Sequence, residues 1–467
     1  MSYLAKYFTV KAIWLYVLLL FFCALLFGGR GLPVVWIAFG LLQVILFFGF
    51  INFLSVRWLA LSDAIFRKKL FYNALWIRLL YVILIYFFYQ AMTGKPFEFQ
   101  AADAEGYHNE AIWLVGLFRA GKLSIYSDYI NGRFSDMGFP VYLAIYYYIF
   151  GAVIIIPRLA NAFLGAWMCV SVYKLALRNF GPAAARLAAI MAMLLPTLIY
   201  YCGLHLKETL MTYLCVAFIE RIDYLVHDKK KILLNSAGAV LLGLSVFFFR
   251  TVLAVALCFA AGSMVMFSGR RIANLGRRLL AGAWLTILVL IVLSTDLTRE
   301  VNKYVDQRDV NLQNQMQYFS QRKGGNRFAT YGRSSIFIPM MLVVPFPSLV
   351  DTGQENAMMI NGAVYTRNIY AFFVFLAIVA FIKKKQLRQH ALILSFLFSY
   401  LVVLAMSGHA ISERFHLPAV PFLLILAGYG VTQLDRRNKN YYIPYLLVIA
   451  LVILAWNWFK LAGRGAI

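Results

Sequence analysis

The feature that most constrains this chain is the recurrence of long apolar runs that stop at clusters of lysine and arginine. Residues 233–249 pass without a single charge, and residues 369–382 end at Lys383-Lys384-Lys385. Inside a bilayer core about 30 Å thick the backbone finds no water, so a run of roughly 20 residues must pair its own N–H and C=O groups as a helix. Composition agrees: 63% of residues are hydrophobic and 13% charged, where soluble domains carry about 25% charged residues. The balance of 44 basic to 19 acidic side chains fits cytoplasmic loops that obey the positive-inside rule and attract anionic membrane lipid. It does not point to nucleic acid. The five cysteines all lie in apolar runs without paired ligand spacing and read as small hydrophobes, neither disulfides nor a zinc site.

Residues 14–27 resemble a signal peptide, but no small-residue cleavage site follows and a second run, 33–54, comes at once, so they count as the first span. Arg57 and Arg67-Lys68-Lys69 mark a cytoplasmic loop, and the third run, 70–89, delivers residues 92–140 to the opposite side. Residues 141–156 are taken as re-entrant or interfacial, since a full crossing would invert the side of every later basic cluster. With the remaining runs the count comes to thirteen spans. The expected fold is an all-α, polytopic transmembrane bundle with amphipathic juxtamembrane helices, one domain over residues 1–467. It comprises extra N-terminal spans (1–69), a first external loop (92–140) and a second (296–366).

Acid is scarce, and six of the 19 acidic residues (Glu98, Asp103, Glu105, Glu110, Asp128 and Asp136) fall inside that first loop. Tyr107, Ala111, Leu114 and Phe118 recur at i, i+4, i+7 and i+11, which predicts a short amphipathic helix lying on the outer membrane surface with Asp103 at its entrance. Two carboxylates one residue apart would hold a divalent ion, take a proton from an acceptor hydroxyl, or simply cap the helix. Three other polar groups share this side: His205-Leu206-Lys207-Glu208, Arg322 to Arg333, and the turn containing His409, Glu413, Arg414 and His416.

The order of landmarks resembles that of the GT-C glycosyltransferases, in particular the protein-mannosyltransferase and aminoarabinose-transferase branch. The resemblance rests on Asp103-Ala104-Glu105-Gly106-Tyr107 with Ala111, on Pro140 leading to Phe150-Gly151, on Arg158 and Asn161, on Asn179-Phe180-Gly181, and on Pro196 with Tyr200-Tyr201 before Glu208. The late segment Arg414-Phe415-His416-Leu417-Pro418, continuing to Gly430, is similar as well. It implies a plasma (inner) membrane enzyme that takes a sugar from a polyprenyl-phosphate carrier and attaches it, with inversion, to a lipid, glycan or protein acceptor on the extracytoplasmic face.

Inverting transfer needs one carboxylate to accept the acceptor's proton and a cation to stabilise the departing phosphate. By match to the family's leading acid, Asp103 is the expected base. Glu105 is expected as second acid or as the ligand of Mg2+ or Mn2+, if a divalent ion is used. Tyr107, Lys207 and Glu208 would contact substrate, and Arg414, Arg327 and Arg333 are the expected phosphate contacts, a planar guanidinium being able to grip two oxygens. Arg250 joins them as a further phosphate contact near an external turn. The alternatives are an O-antigen polymerase or ligase, with its decisive residues in the late loop, and a lipid-linked oligosaccharide flippase, with charges lining the spans.

Overall fold

A computed structural model describes residues 3–130, 134–227, 232–267, 339–406, 410 and 412–462. The expected span at 279–293, the basic stretch containing Arg327 and Arg333, and His409 lie outside these residues. The described elements are helical. In the N-terminal half they are α1 (Lys6–Phe27), α2 (Val34–Arg57), α3 (Asp63–Thr93), α4 (Ala102–Arg119), α5 (Leu123–Ile130), α6 (Gly138–Phe150), α7 (Ile155–Leu194), α8 (Pro196–Cys202), α9 (Glu208–His227), α10 (Ile232–Phe249) and α11 (Thr251–Phe267). The C-terminal part supplies α12 (Glu355–Met359), α13 (Asn361–Lys383), α14 (Ala391–Met406), α15 (Glu413–His416), α16 (Val420–Thr432), α17 (Arg436–Asn440) and α18 (Tyr442–Ala462). Among the described residues nine helices are long and apolar enough to cross a membrane. The fold is an all-α, polytopic membrane bundle.

Two expected spans, 158–177 and 187–202, fall on either side of a break in α7. Gly181 takes φ 80° and is followed by Pro182, a pair that no helix continues through, because the first adopts a left-handed φ and the second lacks an N–H. The limbs then return alongside each other, with the Cys202 thiol 3.8 Å from the carbonyl of Asn161. The chain therefore reverses at Gly181. Beyond it, Pro196 starts α8 and leaves the carbonyl of Ala192 without its helical partner. Arg78, fully buried in the middle of α3, donates to that carbonyl and to Met193. A guanidinium in an apolar span is expensive unless its donors are satisfied, and this one seals the break between α7 and α8. Gly165 makes room for it: a Cβ there would stand 2.7 Å from the Arg78 Nε.

Small residues let other spans approach backbone to backbone, as membrane helices do where apolar side chains alone give no driving force. In α16 a Cβ on Gly428 would lie 2.6 Å from the Ala184 carbonyl. The N-terminal spans α1 and α2 are fastened to α13 through Asn361, which accepts from the Tyr16 hydroxyl and donates to the carbonyl of Trp36. At thirteen residues α6 is shorter than the roughly 20 a crossing requires, and it packs on α4 at one end of the bundle.

The loops sort into two ends. At one, Arg186 caps the end of α2 by donating to the carbonyls of Trp58, Leu59 and Leu61 and lies over Phe66, beside the basic cluster at 67–69; α13 ends at the cluster 383–385, where Lys384 bonds Gln433 just before the cluster 436–439. At the other end, an isolated bridge joins Gly31 to Val350, and the segments 94–101, 203–207, 345–360 and 412–418 converge.

Candidate active site

Asp103 is the second residue of α4. The N-cap position is Ala101, which has no side chain able to cap, and Asp103 does not cap either. Its Oδ2 instead accepts from Nη1 of Arg414, which sits in α15. The same guanidinium donates through Nε to Oε1 of Glu208, the first residue of α9. Three residues separated in sequence by 311 and 206 positions thus form one ion-paired group. It sums to one negative charge. Glu208 is fully buried, and its Oε2 has no hydrogen-bond partner; Asp103 is 59% exposed.

Each member is held from behind. Arg367 of α13 donates to the carbonyl of Met341 at 3.1 Å and bonds His416 Nδ1 at 2.7 Å, while His416 Nε2 meets the carbonyl of Ala410 at 2.7 Å. The Tyr400 hydroxyl donates to the Phe415 carbonyl at 2.7 Å, so the residues flanking Arg414 are fixed. Lys207 donates to the carbonyl of Phe249 at 3.1 Å and lies 5.9 Å above the Tyr107 ring. Arg250 stacks 4.3 Å over Phe415. A chain from His108 Nδ1 to the Tyr147 hydroxyl (2.7 Å) and on to His205 Nε2 (3.1 Å) fastens α4 to α6 and to the loop before Glu208. Burial holds both imidazoles below their ordinary titration range, His205 strongly so, with Arg158 adding to the effect. They act as neutral struts.

The group opens on a cavity of about 370 Å3, with Asp103, Arg414 and Glu98 on one wall and Tyr200, Trp456 and Lys460 on the others. Glu98 is buried with Oε2 unpartnered. Its burial pushes the carboxyl up, against opposing pulls that include Arg158 and Arg414. Lys460, near the end of α18, is buried, bonds the Ser348 hydroxyl, and lies 5.3 Å from the centre of the Trp456 ring. Aromatic and aliphatic walls, with a few converging charges, describe a small-molecule site.

Among families of known proteins, the model of the Alg9-like mannosyltransferase family matches residues 142–467. The chain belongs to this family. Among curated proteins and among solved structures nothing matches. The match covers Glu208, Arg414 and Lys460, whereas Asp103 lies before it. The GT-C kinship read from the landmarks is therefore shown, and with it a membrane glycosyltransferase.

In this Alg9-like transferase three of the four polar groups expected on one face do meet, and the fourth, with Arg327 and Arg333, is outside the described residues. Glu105 is placed differently from Asp103. It pairs with Lys95 at 3.0 Å on the exposed side of α4, because residues two apart on a helix point in nearly opposite directions. The structure does not bring it to the cavity. Among the described residues no group of three or more His, Cys, Asp or Glu side chains is arranged to hold a metal ion. Tyr107 and Lys207 stand beside the ionic group as a cation over a ring. Arg250 is turned onto Phe415 rather than into the cavity lining. In the sequence Glu98 is one loop acid among several, and Lys460 is not singled out at all. Only burial beside the cavity distinguishes them.

Proposed function

We propose that this membrane transferase takes a hexose from a polyprenyl-phosphate carrier and passes it, with inversion, to a glycan acceptor on the extracytoplasmic face. The observation that carries this reading is the bridging of Asp103 and Glu208 by Arg414 on the wall of a cavity at the end of the spanning helices. Asp103 lines the cavity, and Arg414 engages only its Oδ2, which leaves Oδ1 to take the proton. The acceptor hydroxyl attacks the anomeric carbon of the donor sugar from the side opposite the phosphate. The new C–O bond forms as the C–O bond to phosphate breaks, and the phosphate leaves with that electron pair. The hydroxyl proton passes to Asp103. Arg414 orients Asp103, and Glu208 in turn holds Arg414.

The charge balance at the cavity wall favours Lys460 as the phosphate's partner. Arg414 is already matched by two carboxylates, so the group as a whole repels an anion. Lys460 is the cavity's second cation, held against Ser348 and Trp456, and it is the residue suited to the leaving phosphate. Arg414 contributes through the donor hydrogens that its two partners leave open. The facing of the site follows from its position opposite Arg67-Lys68-Lys69 and Lys383-Lys384-Lys385, which the positive-inside rule puts in the cytoplasm.

The test is transfer from labelled synthetic polyprenyl-phosphate mannose in proteoliposomes. The expected result is product of inverted anomeric configuration and stoichiometric polyprenyl phosphate, lost in Asp103→Asn. Transfer directly from a nucleotide sugar, without the carrier, would overturn the donor. Facing is tested by a cysteine placed at Gly121, which an impermeant thiol reagent should label in intact cells.

A further inference from the structure

The cavity holds the reacting hydroxyl, but an acceptor glycan is longer than one sugar and its remaining residues need a path. Asp103, Gly106, Glu110 and Trp113 fall at i, i+3, i+7 and i+10 of α4, along one flank of the helix beside its buried face. Asp103, Gly106 and Trp113 are exposed and Glu110 is half-buried. At 1.5 Å per residue the strip leads about 15 Å from Asp103. It ends where α5 crosses: Trp113 stands edge-on to Tyr129 at 5.1 Å and 80°, and to Tyr126 at 5.8 Å. Tyr126 is itself stacked 6.1 Å from Tyr129 and donates its hydroxyl to Glu110 Oε1 at 3.0 Å.

We infer that this flank of α4, with Trp113 and Tyr129 exposed at its end against the buried Tyr126, binds the acceptor oligosaccharide and directs its terminal hydroxyl to Asp103. The inference rests on the transferase reading above. A pyranose ring has one face rich in C–H groups, which packs on aromatic rings, and an edge of hydroxyls, which need hydrogen-bond acceptors. Rings and a carboxylate side by side supply both. A lipid chain would gain nothing from Glu110. Gly106 supports the same occupant. A Cβ at that position would meet nothing within 4 Å, so packing does not require glycine there, and glycine weakens a helix interior. What it does is leave the floor of the strip clear between the base and the aromatic cluster.

The test is direct binding of α-mannosides, from mono- to tetrasaccharide, to the full-length protein in nanodiscs, measured alongside transfer in the same preparations. Wild type should bind longer members more tightly. Trp113→Ala and Tyr129→Ala should each lose about fivefold to tenfold in affinity for the longest member, the range expected of one aromatic contact, with the monosaccharide unaffected. Gly106→Gln should do the same by obstruction, while leaving the aromatic cluster in place. Asp103→Asn should bind the series normally and transfer nothing. Affinity that does not rise with length, or that falls equally for every member in Trp113→Ala, would overturn the track and make the cluster a membrane-interface anchor. Because binding is read apart from turnover, absent transfer with intact length-dependent binding counts against the transferase reading and not against the track.

Discussion

A single helix, α9, takes part in two arginine-bridged carboxylate pairs, one near each end, and they have opposite characters. At its C-terminal end Arg178 of α7 holds Asp223 at 2.6 Å and Glu220 at 2.9 Å, while Asn179 takes the other oxygen of Asp223 at 2.9 Å and His227 approaches it at 3.4 Å. Both carboxylates are largely buried, and neither lines the cavity beside Asp103. At the N-terminal end Arg414 holds Glu208 and Asp103, yet one oxygen of Glu208 is buried without a partner, and Asp103 is mostly exposed to the cavity. The ions are of the same kind in both places. An ion-paired cluster whose members are all spoken for locks helices together, whereas one left incomplete at a cavity wall has bonding capacity for a substrate. Contact order points the same way: the first cluster joins residues about forty positions apart, the second residues hundreds apart.

The largest separation between the two should come from Asp103→Asn. An amide accepts no proton at neutral pH, and loss of a general base costs about 10^2 to 10^4 in rate, so kcat should drop by that factor while thermal unfolding in detergent stays unchanged. The matching change, Glu220→Gln, should leave kcat within about twofold, since a role confined to stability does not enter the barrier. If Asp103→Asn turns over normally, the N-terminal cluster is another lock and the comparison collapses.

Arg178→Ala should act on stability. It strands two buried carboxylates, and breaking a buried pair from one side costs about 3 kcal/mol or more; the surviving folded fraction should transfer sugar at the normal rate. Lys460→Met comes next. A charge-assisted bond to phosphate is worth about 1.5–3 kcal/mol, so the KM for the carrier-linked donor should rise about tenfold to a hundredfold with the acceptor KM little changed. A uniform loss for both substrates would instead mark Lys460 as a strut between Ser348 and Trp456.

Much of the bundle was legible because span length and basic clusters are set by the bilayer, and the apolar runs at 33–54 and 369–382 are helices where expected. Asp103, Glu208 and Arg414 were legible as a set only because their types follow a family order; no periodicity links positions so far apart. The charges inside spans were not legible. Arg78 in an apolar run reads as a penalty until its partner is known, and the partner is a carbonyl left open by Pro196 on another helix. Glu98 and Lys460 escaped for a related reason. Their chemistry comes from being buried beside a cavity, which is a property of neighbours brought by α12, α18 and the 345–348 segment.

The smallest expected effect is also the one that decides how much of the leading acidic pair is chemical. Asp103 and Glu105 are one residue apart, and as a pair they looked fit to share a divalent ion or the acid and base roles. On α4 they diverge: one reaches Arg414, the other pairs with Lys95 with both side chains exposed. An exposed pair of this kind contributes about 0–1 kcal/mol, and it sits on the side of the helix away from the reacting atoms. Glu105→Gln should therefore change unfolding by no more than that amount and leave kcat and KM within about twofold, with the same response to EDTA and to added Mg2+ or Mn2+ as wild type. A loss of activity as deep as that of Asp103→Asn, or a shifted metal response, would mean that α4 turns or unwinds at its first turn when substrate binds. The resting pairing with Lys95 would then be a contact broken on the way to catalysis.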